Sequence, residues 1–167
     1  MYPGRFAMND DAERIDRVRG ALAALGYTGD VLVMPDSTHT AEMAAAAAGC
    51  ELGQIVKTLA VYAGTAAMLA LVPGDRRLSD RLLATRCGVG RKQVKLASAE
   101  QVLELTGFPV GGVSPFGLPA PLPVLVDAGF ERFDEVWIAA GTANAILPIG
   151  LADLVRFTSG EFALIAT

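Results

Sequence analysis

The sequence contains few of the residues that build metal centres, disulfide frameworks and thiol active sites. Its 167 residues include one histidine, His39, and two cysteines, Cys50 and Cys87. Two cysteines allow a single pairing, which is no disulfide framework. One histidine with two scattered cysteines also falls short of the four clustered ligands of a structural zinc site. These absences exclude disulfide-rich and zinc-finger classes, and they predict no metal.

Long apolar runs and aromatic residues are scarce as well. Hydrophobic residues make up 52% of the chain but aromatic residues only 7%, which predicts an aliphatic core. Gly, Pro or charged residues break each charge-poor stretch before the roughly 18 to 20 apolar residues that a membrane span needs. Residues 1–17 lack the apolar centre of a signal peptide. We therefore expect a soluble, cytoplasmic protein that has no membrane partner.

Positive charge is concentrated in one segment. The net charge is −4, yet residues 76–95 contain seven of the 14 lysines and arginines and only one acid, Asp80. Such a segment is either a solvated helix and loop or a contact surface for phosphates, and charge alone leaves both interpretations open. The residues expected to contact phosphates in the second interpretation are Arg76, Arg77, Arg91 and Lys92.

Apolar spacing and turn residues predict an α+β fold with more strands than helices. The predicted helices are residues 10–25, a segment from a cap at Thr40 to Gly49, and residues 78–87, 98–106 and 151–157. The predicted strands are residues 31–35, 54–63, 66–73, 122–127, 136–141, 145–149 and 161–166. A Gly-Thr break between the second and third strands favours a β-hairpin. We expect one mixed sheet with flanking helices, in a single domain over residues 1–167 with an N-terminal helix region at 1–26.

Lys57 interrupts an apolar strand. Ile55, Leu59 and Val61 share its predicted face, and an ammonium is rarely buried without a partner because its desolvation is costly. One interpretation is a lysine at a sheet edge whose head reaches water. The other is a cation that faces a cleft and binds a phosphate, a carbonyl oxygen or a developing oxyanion.

A second motif, Gly-Gly-Val-Ser-Pro at residues 111–115, begins a stretch too rich in glycine and proline for regular structure. Paired glycines let the backbone approach a ligand, and successive N–H groups can bind an anion. An ordinary connecting loop is the alternative, and the motif fits neither a Walker loop nor a dinucleotide fingerprint.

Other chemistry has weaker support in the sequence. Ser114 lacks the G-x-S-x-G elbow of serine hydrolases, and Cys50 follows a predicted helix end, which disfavours a thiolate. His39 is expected at the surface. The acidic residues Asp127, Glu131, Asp134 and Glu135 are expected to form a solvated face.

Five phrases together resemble a known family. They are TAEMAAAAAGCELGQIVKTLAV, ALVPGDRRLSDRLL, SAEQVLELTGFPVGGVSPFGLP, LPVLVD and FDEVWIAAG, in this order along residues 27–167. The combination closely resembles the YbaK/ProX-like aminoacyl-tRNA editing domains. The resemblance implies a mixed, largely antiparallel sheet with flanking helices. It also implies hydrolysis of mischarged aminoacyl-tRNA without a cofactor, with tRNA as partner and a synthetase as a further candidate partner.

The resemblance also implies site residues. Lys57 and Gly112 match the family's functional lysine and glycine loop, and a ribose hydroxyl of the substrate is implied to help activate a water. The positions implied to bind substrate are Thr58, Gly111, Val113, Ser114, Pro115 and Gly141. The sequence departs from many relatives at Ile146, which lies near a position that is acidic in them. A non-catalytic module that senses an aminoacyl group or nucleotide, and a hydrolase that uses Cys50 or Ser114, stay open as alternatives.

Overall fold

The computed structural model describes residues 3–35 and 40–167, so His39 lies outside the described residues. Its α-helices are α1 (Pro3–Ala24), α2 (Ala41–Ala48), α3 (Asp80–Cys87), α4 (Ala99–Thr106) and α5 (Leu151–Thr158). Its strands are β1 (Leu32–Val33), β2 (Val56–Ala63), β3 (Ala66–Pro73), β4 (Val94–Leu96), β5 (Val124–Asp127), β6 (Glu135–Ala139), β7 (Ala145–Gly150) and β8 (Glu161–Ala163). None of the helices in these ranges is long and apolar enough to cross a membrane.

Local capping signals place the helix ends as predicted. The Thr40 hydroxyl accepts a hydrogen bond from the amide of Met43 at 3.2 Å, and Gly49 ends α2 in the left-handed conformation. Ser98 caps α4 in the same way. Helix α1 differs from the prediction because it begins at Pro3, well before residue 10.

The strands form two sheets, and the predicted α+β class is confirmed. The larger sheet has the order β4-β2-β3-β5-β8; its first three strands are antiparallel, whereas β5 and β8 add in parallel. The smaller sheet, β1-β7-β6, is antiparallel throughout. A bridge between Ile55 and Trp137 connects them. The sequence analysis expected a single sheet and missed β4, whose three residues are too few for a periodic signal.

The predicted β-hairpin is confirmed and separates two apolar layers. Ala63 pairs with Ala66 across a two-residue turn. One face of the larger sheet packs on α1, α5 and the smaller sheet through residues that include Val56, Leu69 and Leu71. The opposite face packs on α3 through residues that include Val61. Lys57 therefore lies on the α3 side of the sheet, but at an end of β2 that β4 does not reach.

Candidate functional site

The first half of β2 borders a cavity of about 340 Å³. Strand β4 pairs only with residues 61–63 of β2, so the edge before them is not covered by β4. Three walls close around this edge: the start of α2, the loop after α4, and strands β6 and β7 of the smaller sheet. The cavity is lined by Thr40, Ala41, Ala44, residues 55–60, Leu96, Ala97, Val102, Val110, Gly111, Val113, Trp137, Ala139, Ala143 and Ile146.

Lys57 is the one charged residue among the described residues that line the cavity. It is half-buried, and its Nζ donates a hydrogen bond to the backbone carbonyl of Arg76. Burial is the main factor that lowers the pKa of Lys57, and the charge of Arg77 lowers it further, whereas Glu42 and Asp75 act in the opposite direction. A carbonyl partner stabilises the ammonium and directs it, while two of its three N–H donors stay available to a ligand.

Thr58 also lines the cavity, and its hydroxyl is unusual. Its Oγ1 atom is buried without a hydrogen-bond partner, the one such side-chain atom within residues 10–35 and 40–167. An unsatisfied buried hydroxyl is unfavourable by about 1 to 3 kcal/mol. A ligand in the cavity that supplied a donor or acceptor would recover this energy.

The glycine loop lines the same cavity as Lys57 through Gly111 and Val113. The amide of Gly112 donates to the carbonyl of Pro109 at 3.0 Å, and Gly111 at the third position of this turn has φ +88°. A type II turn requires such a conformation, which favours glycine. The amides of Gly111 and Val113, the two residues of the loop that line the cavity, donate to no other described residue, so they are candidate donors to a ligand.

Gly112 is required by space rather than by its own conformation. A Cβ at this position would lie 2.7 Å from Cα of Thr142, in the loop that joins β6 to β7. The two loops therefore contact each other backbone to backbone. Because the Gly112 amide is already used within the turn, its predicted role in catalysis would be to allow this close contact.

Three predicted substrate-binding residues lie behind the cavity wall. Ser114 is fully buried, and its hydroxyl accepts a hydrogen bond from the amide of Phe116 at 3.1 Å. Pro115 follows in the same loop, and Gly141, with φ +100°, packs on the backbone of Arg14 in α1. None of the three is among the described residues that line the cavity, so the geometry suggests that they support the wall.

The structure separates the four basic residues that the sequence analysis grouped together. Arg76 is partly buried and lies 3.8 Å from the buried carboxylate of Asp127. Arg77 is exposed, and its backbone exchanges two hydrogen bonds of 2.9 Å with Thr167. Arg91 and Lys92 are exposed in a 3-10 turn just before β4. Their position near β4 leaves these two side chains accessible to a polyanion.

The expectation of a solvated acidic face is wrong for Asp127. This residue is fully buried, and its carboxylate accepts hydrogen bonds from the amides of Gly129, Ile165 and Ala166 at 2.9 to 3.1 Å. Its two amide donors at residues 165 and 166 are about 40 positions away in sequence, which is why spacing could not reveal them.

Neither cysteine lies in the cavity wall. Burial raises the pKa of the Cys50 thiol, and the charges of Glu135 and Glu51 raise it further, so the predicted direction is correct although burial is its main cause. The Cys87 sulfur packs 3.8 Å from the sulfur of Met68. Both residues pack against apolar clusters of the core.

A mostly apolar cavity with a lysine and a glycine turn in its lining is the kind of concave site in which proteins bind small molecules. Residues 35–157 match the aminoacyl-tRNA editing domain family. The chain belongs to this family, and the predicted resemblance to YbaK/ProX-like domains is confirmed.

Named relatives refine the comparison. A solved structure of a candidate trans-editing enzyme for prolyl-tRNA synthetase is 37% identical, with a TM-score of 0.87, over 92% of this chain and 97% of that one. The chain is 31% identical to YwhH of Bacillus subtilis over 77% of its own length and 81% of that protein. It is 28% identical to EbsC of Enterococcus faecalis, a proposed Cys-tRNA(Pro)/Cys-tRNA(Cys) deacylase, over 77% of each.

The family also occurs inside larger enzymes. The proline–tRNA ligase of Maridesulfovibrio salexigens is 44% identical over 80 residues, which are 48% of this chain and 13% of the ligase. The likeness to the ligase is therefore a likeness to one part of it.

Proposed function

We propose that this protein is a deacylase that hydrolyses mischarged aminoacyl-tRNA in trans. The observation that carries the proposal is the placement of the Lys57 ammonium and the Gly111 turn on one apolar cavity in a chain of the editing-domain family. Action in trans is supported by the candidate trans-editing structure, of which the chain covers 97%. The cytoplasm, where aminoacyl-tRNA is made and used, is the proposed place of action.

The proposed reaction is attack of water on the ester carbonyl that links the amino acid to the terminal ribose. A tetrahedral oxyanion forms, and its collapse breaks the bond to the ribose oxygen, which receives a proton as the free amino acid leaves. Preorganised donors stabilise such an oxyanion. The amides of Gly111 and Val113 are proposed as these donors, and Lys57 is proposed to bind the carbonyl oxygen or the terminal nucleotide.

The activation of water is proposed to depend on the substrate. The described residues that line the cavity include no carboxylate, histidine or cysteine, so they supply no evident general base. A neighbouring ribose hydroxyl can accept a proton from the water and relay it to the leaving oxygen. The ester is already activated, so positioning of the water supplies much of the rate.

The side chain of the removed amino acid is proposed to be uncharged. Ile146, which lies near the position that the family resemblance implies to be acidic in many relatives, is part of the cavity wall, and no described lining residue could pair with a cationic side chain. Burial of an unpaired charge is strongly unfavourable. The rejection of cationic amino acids would therefore follow from desolvation, whereas an anionic side chain would have to take Lys57 from the carbonyl oxygen or terminal nucleotide that it is proposed to bind.

The tRNA body is proposed to contact Arg77, Arg91 and Lys92, which are exposed. Each phosphate contact releases counterions and steepens the salt dependence of binding. Neutralising Arg91 and Lys92 together should weaken tRNA deacylation and flatten its salt dependence, while hydrolysis of a 3′-O-aminoacyl-adenosine should hardly change. Equal losses on both substrates would argue that these residues are structural.

The decisive test is a deacylation screen over a panel of mischarged and correctly charged tRNAs. We expect release of an uncharged amino acid from at least one mischarged tRNA, and loss of that release in Lys57→Ala. Screens with and without a prolyl-tRNA synthetase would determine whether a synthetase partner is needed. Tight binding of aminoacyl-tRNA without any turnover would instead identify a sensing module.

A further inference from the structure

We infer that Arg76 is a positioning residue for Lys57, held in place by Asp127, and not a phosphate contact as its place in the basic segment suggested. The inference rests on the proposed function in one respect, namely that Lys57 takes part in deacylation. Its structural part concerns Lys57, in the cavity wall, and two residues outside the lining, Arg76 and Asp127.

Residue 76 is held at several points. Its amide donates to the carbonyl of Pro73 at 2.9 Å, and its guanidinium lies 3.8 Å from Oδ2 of Asp127. Between these two anchors, the carbonyl of Arg76 accepts the hydrogen bond from Lys57 Nζ. The atom that directs the ammonium therefore belongs to a residue whose main chain and side chain are both fixed.

Asp127 provides the rigid end of this chain of contacts. Its Oδ1 accepts from the amides of Ile165 and Ala166 at 3.1 and 3.0 Å, and its Oδ2 from the amide of Gly129 at 2.9 Å. A fully buried carboxylate with three amide donors has little freedom to move. The side chain of Arg76 adds the charge that compensates for the burial of this carboxylate.

The same carboxylate also fixes the segment next to residue 76. Ala166 is followed by Thr167, and Thr167 and Arg77 exchange two backbone hydrogen bonds of 2.9 Å. The carbonyl that holds Lys57 is thus bordered by a segment that Asp127 anchors. If Arg76 bound a phosphate, its guanidinium would have to move away from the buried carboxylate of Asp127.

A lysine has four rotatable methylene groups, so one fixed acceptor determines where its ammonium points. Displacement of that carbonyl, once the side chain of residue 76 no longer pairs with Asp127, would leave the charge in place but would spread its position. Misplacement of a catalytic contact by about 1 Å can reduce a rate about a hundredfold. We therefore expect a defect in turnover rather than in tRNA affinity when Arg76 is altered.

The test compares Arg76→Gln with Arg19→Gln. Arg19 also lies 3.8 Å from a carboxylate, Asp16, but this pair is exposed, so it controls for loss of an arginine and its ion pair. For Arg76→Gln we expect kcat on 3′-O-aminoacyl-adenosine to fall about ten- to a hundredfold with KM retained, and the salt dependence of tRNA deacylation to stay as in the wild type. Normal ester hydrolysis with a flattened salt dependence would overturn the inference and restore the phosphate contact.

A second measurement does not depend on activity. Acetic anhydride labels accessible lysines, and mass spectrometry gives the rate at Lys57. We expect Lys57 to be labelled several-fold faster in Arg76→Gln than in the wild type and Arg19→Gln, while unchanged labelling would contradict the inference.

The conservative variant Arg76→Lys keeps a cation near Asp127, so its kcat and its labelling rate should be intermediate. This variant replaces Arg76→Gln if circular dichroism shows that Gln unfolds the protein. A wild type without deacylase activity would refute the proposed function, while the labelling would still decide the role of Arg76.

Discussion

The two halves of β2 differ in what lies along their outer edge. Residues 61–63 pair with β3 on one side and β4 on the other, so their backbone is used entirely for the sheet. Residues 56–60 pair with β3 alone among the named strands, and their other side borders the cavity. One strand therefore provides a structural half and an open half, and Lys57 and Thr58 lie on the open half. The cavity therefore borders the part of β2 that the short strand β4 leaves unpaired.

Removal of the charge on the open half should have the largest effect. Lys57→Ala should lower kcat/KM for deacylation about tenfold to a thousandfold, the range for loss of one charge-stabilising contact. The melting temperature should change little, because the ammonium is only half-buried. Lys57→Arg keeps the charge with a different geometry and serves as the matched variant. Wild-type kinetics in Lys57→Ala would remove this residue from the mechanism.

A change in the glycine loop should lower deacylation nearly as much as the loss of Lys57. Gly112→Ala places a Cβ within 2.7 Å of the Thr142 backbone, so the two loops must separate and the free amides of the turn must move. We expect deacylation to fall about tenfold or more, with a folded circular dichroism spectrum. Gly20→Ala is the control, since nothing lies within 4 Å of a Cβ there and alanine favours a helix. Equal activity in both variants would contradict a role for the loop.

A substitution in the structural half of β2 should lower the stability of the protein instead of its activity. Val61 is fully buried on the α3 side, and Val61→Ala should lower the free energy of unfolding by about 1 to 3 kcal/mol through lost burial and an unfilled cavity. Urea denaturation measures this change. Activity per folded molecule should stay close to that of the wild type. A large fall in kcat without loss of stability would mean that the two halves are not functionally distinct.

Removal of the Thr58 hydroxyl should have a smaller effect, which lowers activity but leaves stability unchanged or slightly raised. Thr58→Val removes an oxygen that has no partner in the free protein, so stability should be unchanged or slightly higher. If the substrate bonds this oxygen, kcat/KM should fall about two- to tenfold, as for one neutral hydrogen bond. Thr58→Ser, which keeps the hydroxyl, should retain activity. A valine variant with normal kinetics would show that the oxygen stays unpaired in the complex too.

The cysteines should have the smallest effect. The pKa of Cys50 is raised by burial, which favours the thiol over the reactive thiolate, and Cys87 packs beside Met68 under the structural half. The double replacement of Cys50 and Cys87 by serine should keep deacylation within about twofold of the wild type. Complete loss with an intact fold would favour thiol catalysis over the proposed water mechanism.

Local chemistry made much of the fold predictable. The Gly-Thr break indicated the hairpin, and the hydroxyl of Thr40 with the glycine at 49 indicated both ends of α2. Strand β4 was not predicted because three residues are too few to show the alternation of apolar and polar residues that indicates a strand. The predicted helix 10–25 included Leu25, but this residue lies exposed just past the end of α1, since helical spacing does not fix the last residue of a helix.

Long-range contacts limited the prediction of the site. The sequence indicated Lys57 and the glycine loop, and the structure places Lys57, Thr58, Gly111 and Val113 on one cavity, although their roles remain predictions. The burial of Asp127 was not foreseeable, because two of its three amide donors, Ile165 and Ala166, lie about 40 positions away in the sequence. A buried acid and an exposed acid look the same when only their sequence neighbours are known.

Helix α2 carries a run of alanines from residue 44 to residue 48, and Ala41 and Ala44 form part of the cavity wall. The methyl groups of these two alanines set the width of the cavity on this side. They belong to a helix that takes no part in either sheet. A longer side chain at residue 41 or 44 would narrow the cavity by whole methylene groups without altering strand pairing, Lys57 or the glycine turn. The range of accepted amino acids could therefore evolve, or be engineered, by changes on one short helix, separately from the catalytic rate.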